Sequence, residues 1–218
     1  MDSTFHPLCA IIAIAAVAGS PSATAAACSI LDVSLTINSI TYNPSNCVDG
    51  IAQQGGPTAE TSALDTALGT AGFVYLDKSD DPTTPIGIDG VRFVITAGTG
   101  NSGSWTMSWS EQPGAPNLPL TIDFALGLFG GGNGSGYFFD NVLLSDSVTT
   151  GFGSYDINFL NQGGQDPSLG HLLLAGGNAE RAESGARISV NAIPEPATVA
   201  LLALGLAGLT LTRRRKAR

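Results

Sequence analysis

The side chains best suited to hold a ligand directly are the carboxylates of an acidic stretch in the middle of the chain. Aspartate oxygens in a loop are the ligands that Ca²⁺ prefers, but the spacing here is not that of an EF-hand, and the closing Glu is missing. A solvated turn is therefore the favoured interpretation, and calcium binding is kept as an alternative. The weak calcium candidates are Asp77, Asp80, Asp81 and Asp89.

Groups that could perform acid–base or nucleophilic catalysis are scarce. His171 lies in the apolar run LGHLLL without a nucleophile motif nearby, which predicts a structural histidine. Several acids could include the carboxylate pair of a glycosidase, but the sequence does not give their separation. These acids are Asp140, Asp146 and Asp156, and Glu111 and Asp123 are further acids whose replacement would reveal such an activity. We expect no catalytic residue and no enzyme.

Two further kinds of ligand site are excluded by the sequence, a dinucleotide site and a His/Cys metal site. Residues 98–103 fit the pattern G-x-G-x-x-G, but a dinucleotide site needs a helix after the glycines, and the following SWTMSWS alternates like a strand. A hairpin loop is predicted there. Metal sites built from His and Cys are excluded by the number of these residues.

Short β-strands must position these residues, since apolar and polar side chains alternate along most of residues 28–192. Trp105, Met107 and Trp109 form one such stripe, predicted to be core and not a sugar-stacking platform. One helix is expected at residues 61–68, and no β-α-β alternation occurs. The prediction is an all-β fold: one jelly-roll-like antiparallel β-sandwich. The nine predicted strands lie at residues 31–37, 73–76, 91–95, 105–109, 120–126, 137–144, 155–159, 169–174 and 187–190.

The N-terminal residues 1–27 have the features of a signal peptide. Residues 8–18 form an apolar run of eleven residues, which suits a signal-peptide core and is too short to span a bilayer. Ala-x-Ala patterns then place the start of the mature chain at Ala26 or Cys28. No Lys or Arg precedes the run, so the true start could lie further upstream or the signal could be weak. A buried Ala-rich helix is the alternative to a signal peptide.

Two cysteines remain after removal of such a signal, Cys28 and Cys47. An even number of thiols in an oxidising compartment favours a disulfide. The bridge would close a loop of about 20 residues and contribute roughly 3 kcal/mol. The alternative is a lipoprotein acylated on Cys28, but Ala25 occupies the position where such sequences usually have Leu.

The charge between the two ends is strongly negative. Asp2 and Glu195 are the only two of the eighteen acids outside residues 28–193, and five of the nine bases lie at the C-terminus. Sixteen acids and four bases remain, a net charge of −12 over 166 residues. Nucleic acids and anionic membrane surfaces need a basic partner, so both are excluded as ligands of this region.

The C-terminal segment has the features of a short membrane helix. Residues 197–212 carry no charge and would span about 24 Å as a helix, which is usable with snorkelling arginines. The basic end fixes that side in the cytoplasm and places the preceding domain outside. A plain membrane anchor is the alternative to a processed signal. The basic residues are Arg213, Arg214, Arg215, Lys216 and Arg218.

Pro194, Glu195 and Pro196, followed by a short Ala/Leu/Gly helix and an arginine cluster, resemble the PEP-CTERM sorting domain over residues 193–218. The resemblance implies an exosortase as partner, a membrane-embedded cysteine transpeptidase that recognises Pro-Glu-Pro and cleaves near it outside the inner membrane. It also implies an inner-membrane intermediate and export to the surface or matrix of a Gram-negative bacterium that makes exopolysaccharide.

Two functions stay open for residues 28–192. The first is a non-catalytic surface or matrix protein associated with exopolysaccharide and biofilm. The alternative is a secreted glycan-active enzyme or a calcium-dependent carbohydrate-binding module on a β-sandwich. The first is favoured because no catalytic constellation is visible.

Overall fold

The computed structural model describes residues 27–81, 87–114, 117–161 and 163–182. The predicted signal peptide, the strand predicted at 187–190, the Pro-Glu-Pro motif, the C-terminal helix and the basic tail lie outside these residues. Within the described residues, no helix is long and apolar enough to cross a membrane.

Eleven strands and one helix are formed in the described part of the chain. In chain order they are β1 (Val33–Ile37), β2 (Ile40–Tyr42), β3 (Asn46–Ala52), α1 (Pro57–Leu68), β4 (Val74–Lys78), β5 (Gly87–Ile88), β6 (Val91–Ala97), β7 (Ser102–Glu111), β8 (Leu120–Gly130), β9 (Asn133–Leu144), β10 (Thr150–Asp156) and β11 (His171–Arg181).

The strands form two antiparallel sheets. The six-stranded sheet has the order β2-β1-β10-β7-β6-β5, and the five-stranded sheet has the order β3-β9-β8-β11-β4. The longest pairing joins the hairpin strands β8 and β9, whose register shifts once, between Ile122 and Phe124. The all-β, antiparallel architecture predicted from the alternation is confirmed.

One hydrophobic core fills the space between the two sheets. Trp105, Met107 and Trp109 of β7 are 2%, 0% and 3% exposed, so the aromatic stripe belongs to this core, as predicted. Phe93 of one sheet meets Phe124 of the other edge to face, with ring centroids 5.5 Å apart. The sheets thus pack as a β-sandwich.

A second, smaller core lies on the outer face of the five-stranded sheet, where α1 covers it. Leu64 of the helix packs there with Phe129 of β8 and Leu173 of β11. The central strands are consequently buried on both faces, which explains why residues 124–130 of β8 and 172–177 of β11 contain no polar side chain. The helix begins at Pro57, four residues before the predicted start.

The prediction from the sequence misplaced one strand and missed three others. β10 runs from Thr150 to Asp156, where 155–159 was predicted, because two of its three core-facing residues, Gly151 and Gly153, carry no side chain and only Tyr155 is apolar. A Cβ on Gly153 would overlap the Trp105 indole nitrogen, so the glycine makes room for that ring. The strands β2, β3 and β5 were not predicted, since they are short or lack alternation.

Candidate functional site

Four charged or titratable side chains converge beneath α1. Glu60 comes from the first turn of the helix, His171 from the first residue of β11, and Lys78 from the last residue of β4. Asp80 follows two residues later. Glu60 is 0% exposed and His171 is 2% exposed, so this pair lies in the interior, whereas the Asp80 side chain is 50% exposed and reaches the surface.

The side chains of this cluster are in direct contact. His171 Nε2 lies 3.1 Å from Glu60 Oε2, and Lys78 Nζ lies 3.9 Å from the same oxygen. Asp80 closes the group, with carboxylate oxygens 3.5 Å from Lys78 Nζ and 4.0 Å from His171 Nδ1. The Phe129 ring stacks on the imidazole, with centroids 5.1 Å apart. One face of the histidine is therefore covered by an apolar ring.

Burial decides the charge state of the histidine. It lowers the pKa of His171, and Lys78 lowers it further, while Glu60 and Asp80 oppose the shift. The neutral imidazole then donates its Nε2–H to Glu60, since a carboxylate can only accept. Lys78 supplies the positive charge that balances the buried carboxylate. The second oxygen of Glu60, Oε1, is buried and has no hydrogen-bond partner.

A carboxylate in contact with an imidazole is the core of many proton-transfer sites, but such a site must reach its substrate. His171 is shielded by Phe129 and Glu60 by the helix that carries it. The arrangement instead ties α1 to two strands of the sheet. This agrees with the prediction of a structural histidine.

A groove of about 260 Å³ runs along the same helix, between α1 and β4. Two of its hydroxyl groups are already used by the helix: Thr61 donates to the Pro57 carbonyl and Ser62 to the Thr58 carbonyl, at 2.8 and 3.0 Å. The remaining lining is mainly apolar or aromatic: Phe73, Val74 and Tyr75. The groove holds no acid or base.

The four calcium candidates are directed to different partners. Asp77 is buried and accepts the Ile95 N–H at 2.7 Å, and burial raises the pKa of its carboxyl. Asp80 pairs with Lys78, and Asp81 accepts the Tyr75 hydroxyl at 3.5 Å. Asp89 lies in the turn between β5 and β6, at a φ of 48°. The described residues contain no group of three His, Cys, Asp or Glu side chains that could hold a metal.

The acids considered for glycoside hydrolysis are dispersed over the fold. Asp123 on β8 accepts the Asn141 N–H at 2.8 Å and the Asn178 amide at 2.9 Å, so it is a structural acceptor. Glu111 accepts the Leu118 N–H at 2.8 Å. Asp140 belongs to β9 of the five-stranded sheet, whereas Asp156 ends β10 of the other sheet, and Asp146 follows β9.

The predicted disulfide is present: Cys28 is bonded to Cys47, with the two Cα atoms 6.1 Å apart. Asp49, two residues further along β3, accepts the Cys28 N–H and the Ser135 hydroxyl. The bridge and this carboxylate fasten the start of the described chain to the edge strand β3. Neither the acceptor role of Asp49 nor the pairing of Glu60 had a signal in the sequence, because both partners are distant along the chain.

Comparison with known proteins gives one match, at the C-terminal end. The family described as PEP-CTERM protein-sorting motif matches residues 192–216. The chain carries a PEP-CTERM sorting signal. This signal indicates an exported protein of a Gram-negative bacterium that is processed at the membrane, with an exosortase as the processing partner. No curated protein and no solved structure matches the chain.

Proposed function

We propose that the PEP-CTERM signal delivers a jelly-roll-like, non-catalytic domain, residues 28–192, to the cell surface or extracellular matrix, where it associates with exopolysaccharide in a biofilm. The observation that carries the proposal is the sorting motif, matched at residues 192–216, which follow the all-β domain in the sequence. Cleavage near Pro194, Glu195 and Pro196 would free the domain from its membrane-bound tail.

The non-catalytic part of the proposal is supported by the position of the titratable groups. General acid–base catalysis needs such groups held at an accessible surface. His171, the only histidine among the described residues, is shielded beneath α1. Both carboxylate oxygens of Asp123 accept hydrogen bonds, from the Asn141 N–H and the Asn178 side-chain amide. The exposed acids Asp140 and Asp156 belong to different sheets.

Replacing Pro194, Glu195 and Pro196 together with Ala tests the delivery. The expected result is an uncleaved precursor retained in the inner membrane, detected by fractionation with an antibody to the β-sandwich. Thr198→Ala, two residues beyond Pro196, is the matched control and should be processed normally. Release of the triple variant at the level of the control would contradict the proposal.

A separate assay tests the absence of catalysis. The released protein is incubated with a panel of neutral and acidic polysaccharides, and new reducing ends are measured. None is expected. Reducing ends that disappear in one of the variants Glu111→Gln, Asp123→Asn, Asp140→Asn or Asp156→Asn would establish the glycan-active enzyme instead.

A further inference from the structure

The outer face of the six-stranded sheet carries mainly hydroxyl side chains. Residues paired across neighbouring strands lie side by side on one face, so the register assembles them into rows. The middle row crosses five strands, from β2 to β6, and consists of Thr41, Thr36, Phe152, Thr106 and Thr96.

Two shorter rows flank the middle one. They consist of Ser34, Ser154 and Ser104 on one side, and Thr150, Ser108 and Val94 on the other. These side chains are exposed or half-buried, whereas the residues between them along each strand point into the core. The three rows together are called the hydroxyl face.

The hydroxyl groups on this face are already organised across the strands. Pairs of hydroxyl oxygens lie 2.8 Å apart for Ser34 and Ser154, and 2.6 Å apart for Thr96 and Thr106. Each hydroxyl has one donor hydrogen and two acceptor lone pairs. A pair that shares one hydrogen bond thus keeps one free hydrogen and free lone pairs for a ligand. The face therefore offers both donors and acceptors at fixed spacing.

Phe152 lies at the centre of the hydroxyl face and is 61% exposed. A phenyl ring in that position contributes little to the core, because most of its apolar surface still contacts water. Its neighbours in the row are Thr36 and Thr106, one on each side. An exposed aromatic ring among hydroxyl groups matches the chemistry of a sugar ring, which has hydroxyl groups at its edge and an apolar C–H face that stacks on aromatic rings.

The distribution of charge on and around the hydroxyl face favours a neutral ligand over an acidic one. The three rows contain no Asp, Glu, Lys or Arg, although residues 28–193 carry sixteen acids and four bases. The nearest charged side chains in the register lie beyond the rows, at opposite ends: Asp156 beside Ser102, and Arg92 beside Ser110. An acidic polymer would be repelled by the net charge of −12 and would find no cationic partner on the face.

We propose that the hydroxyl face binds a neutral polysaccharide. This inference rests on the proposed function and names the ligand class and the surface. Four strand spacings of about 4.8 Å make the middle row roughly 19 Å long. A row of that length suits an extended chain of several sugar rings and not a single monosaccharide. Phe152 stacks on one ring, and the flanking hydroxyl groups hydrogen-bond to the others.

Binding is tested by co-sedimentation with insoluble neutral polysaccharides, namely cellulose, β-1,3-glucan and starch granules, and with covalently cross-linked, calcium-free alginate beads as the acidic probe. Phe152→Ala should weaken binding to the neutral probe about tenfold, since a central aromatic carries a large share of binding energy. Phe152→Trp should retain binding because it preserves the stacking surface. Thr106→Val removes one hydroxyl at constant shape and should weaken binding less.

The matched controls lie on the other sheet. Val74→Ala changes an apolar side chain that is 43% exposed on β4, and Thr121→Val removes a hydroxyl from β8. Both should bind like the native protein. Thermal unfolding followed by circular dichroism verifies that each variant is folded.

Three results would overturn the proposal: no binding to any neutral probe, equal binding of Phe152→Ala and Val74→Ala, or stronger binding to alginate. A fourth is a loss of self-association in Phe152→Ala, which would assign the face to a second copy of the chain. Each measurement is made on the released protein and on the uncleaved full chain in detergent. Binding by an uncleaved chain that is never processed would retain this inference and reject the proposed delivery.

Discussion

Glu60 and His171 are 111 residues apart in the chain, yet their side chains meet with 3.1 Å between Oε2 and Nε2. The contact joins α1 to the first residue of β11, and Lys78 of β4 adds a positive charge at 3.9 Å. The helix is thus held on the sheet by a buried polar contact as well as by apolar packing. Removing Glu60 should leave the buried His171 N–H without its acceptor.

Glu60→Ala should lower the free energy of unfolding by about 3 kcal/mol, because it leaves the buried His171 N–H without its acceptor and removes one of the two carboxylates beside the Lys78 ammonium group. Glu60→Gln keeps a hydrogen-bond acceptor and should cost less. The measurement is urea-induced unfolding at pH 7.5. Glu180→Ala, an exposed acid on β11, is the control and should change stability by less than about 0.5 kcal/mol. Equal effects of the Glu60 and Glu180 changes would show that the buried contact is not stabilising.

The stability of the protein should fall on acidification because of His171. Burial lowers the pKa of His171 in the folded state, so the unfolded chain takes up the proton first as the pH falls. Its stabilising contribution is complete above the unfolded pKa of about 6.5 and is lost as the pH drops towards the lower folded value. Thermal unfolding between pH 7.5 and 5 measures the slope.

The matched variant for that slope is His171→Gln, which keeps an N–H donor but does not titrate. It should unfold at a temperature that depends less on pH over the same range. Asp77 acts in the opposite direction, because burial raises the pKa of its carboxyl and favours the protonated form at low pH. An unchanged slope in His171→Gln would mean that other groups control the acid response.

Gly153→Ala should destabilise the protein by about 2 kcal/mol or more, because the new Cβ would overlap the Trp105 indole and the Ser34 carbonyl oxygen. Trp105 cannot move freely, since its ring nitrogen donates to that same carbonyl at 3.2 Å. Gly98→Ala is the control: its Cβ would meet no atom closer than 3.8 Å. Thermal unfolding compares the two, and a Gly153 variant as stable as the Gly98 variant would be inconsistent with the packing of Trp105.

Replacing Cys28 and Cys47 with Ser should reduce the free energy of unfolding by roughly 3 kcal/mol, because the loop between them is no longer closed in the unfolded chain. Mass spectrometry of the native protein should show a gain of two hydrogens on reduction. A diacylglycerol group on Cys28 would contradict the disulfide and establish the lipoprotein alternative.

Local patterns in the sequence were enough for the features that depend on neighbouring residues. The alternation around Trp105, Met107 and Trp109 predicted a core-facing strand, and that stripe is buried. The sorting signal was recognisable because its parts follow one another within residues 193–218, and the matched motif covers 192–216. The presence of only two cysteines after the predicted signal peptide likewise predicted the bond between Cys28 and Cys47.

Strand β10 shows where local patterns fail. Two of its three core-facing positions, Gly151 and Gly153, are glycines because the Trp105 ring and side chains of β1 occupy the space above them, and only Tyr155 shows the apolar pattern. The periodicity of a segment does not show which side chains of other strands pack against it. The predicted strand was therefore displaced to the nearest apolar alternation, at Tyr155, Ile157 and Phe159.

The sequence by itself determined the all-β class, the disulfide partners and the sorting signal, because each rests on contacts or order within a short segment. Only the tertiary structure decided that α1 covers one sheet, that Glu60 meets His171, and that the hydroxyl groups of five strands form one face around Phe152. The physical reason is that strand register and layer packing bring together residues up to 120 positions apart, as in the pair of Ser34 and Ser154. A polar side chain on a strand looks the same in the sequence whether its neighbours across the sheet are hydroxyls, acids or nothing at all.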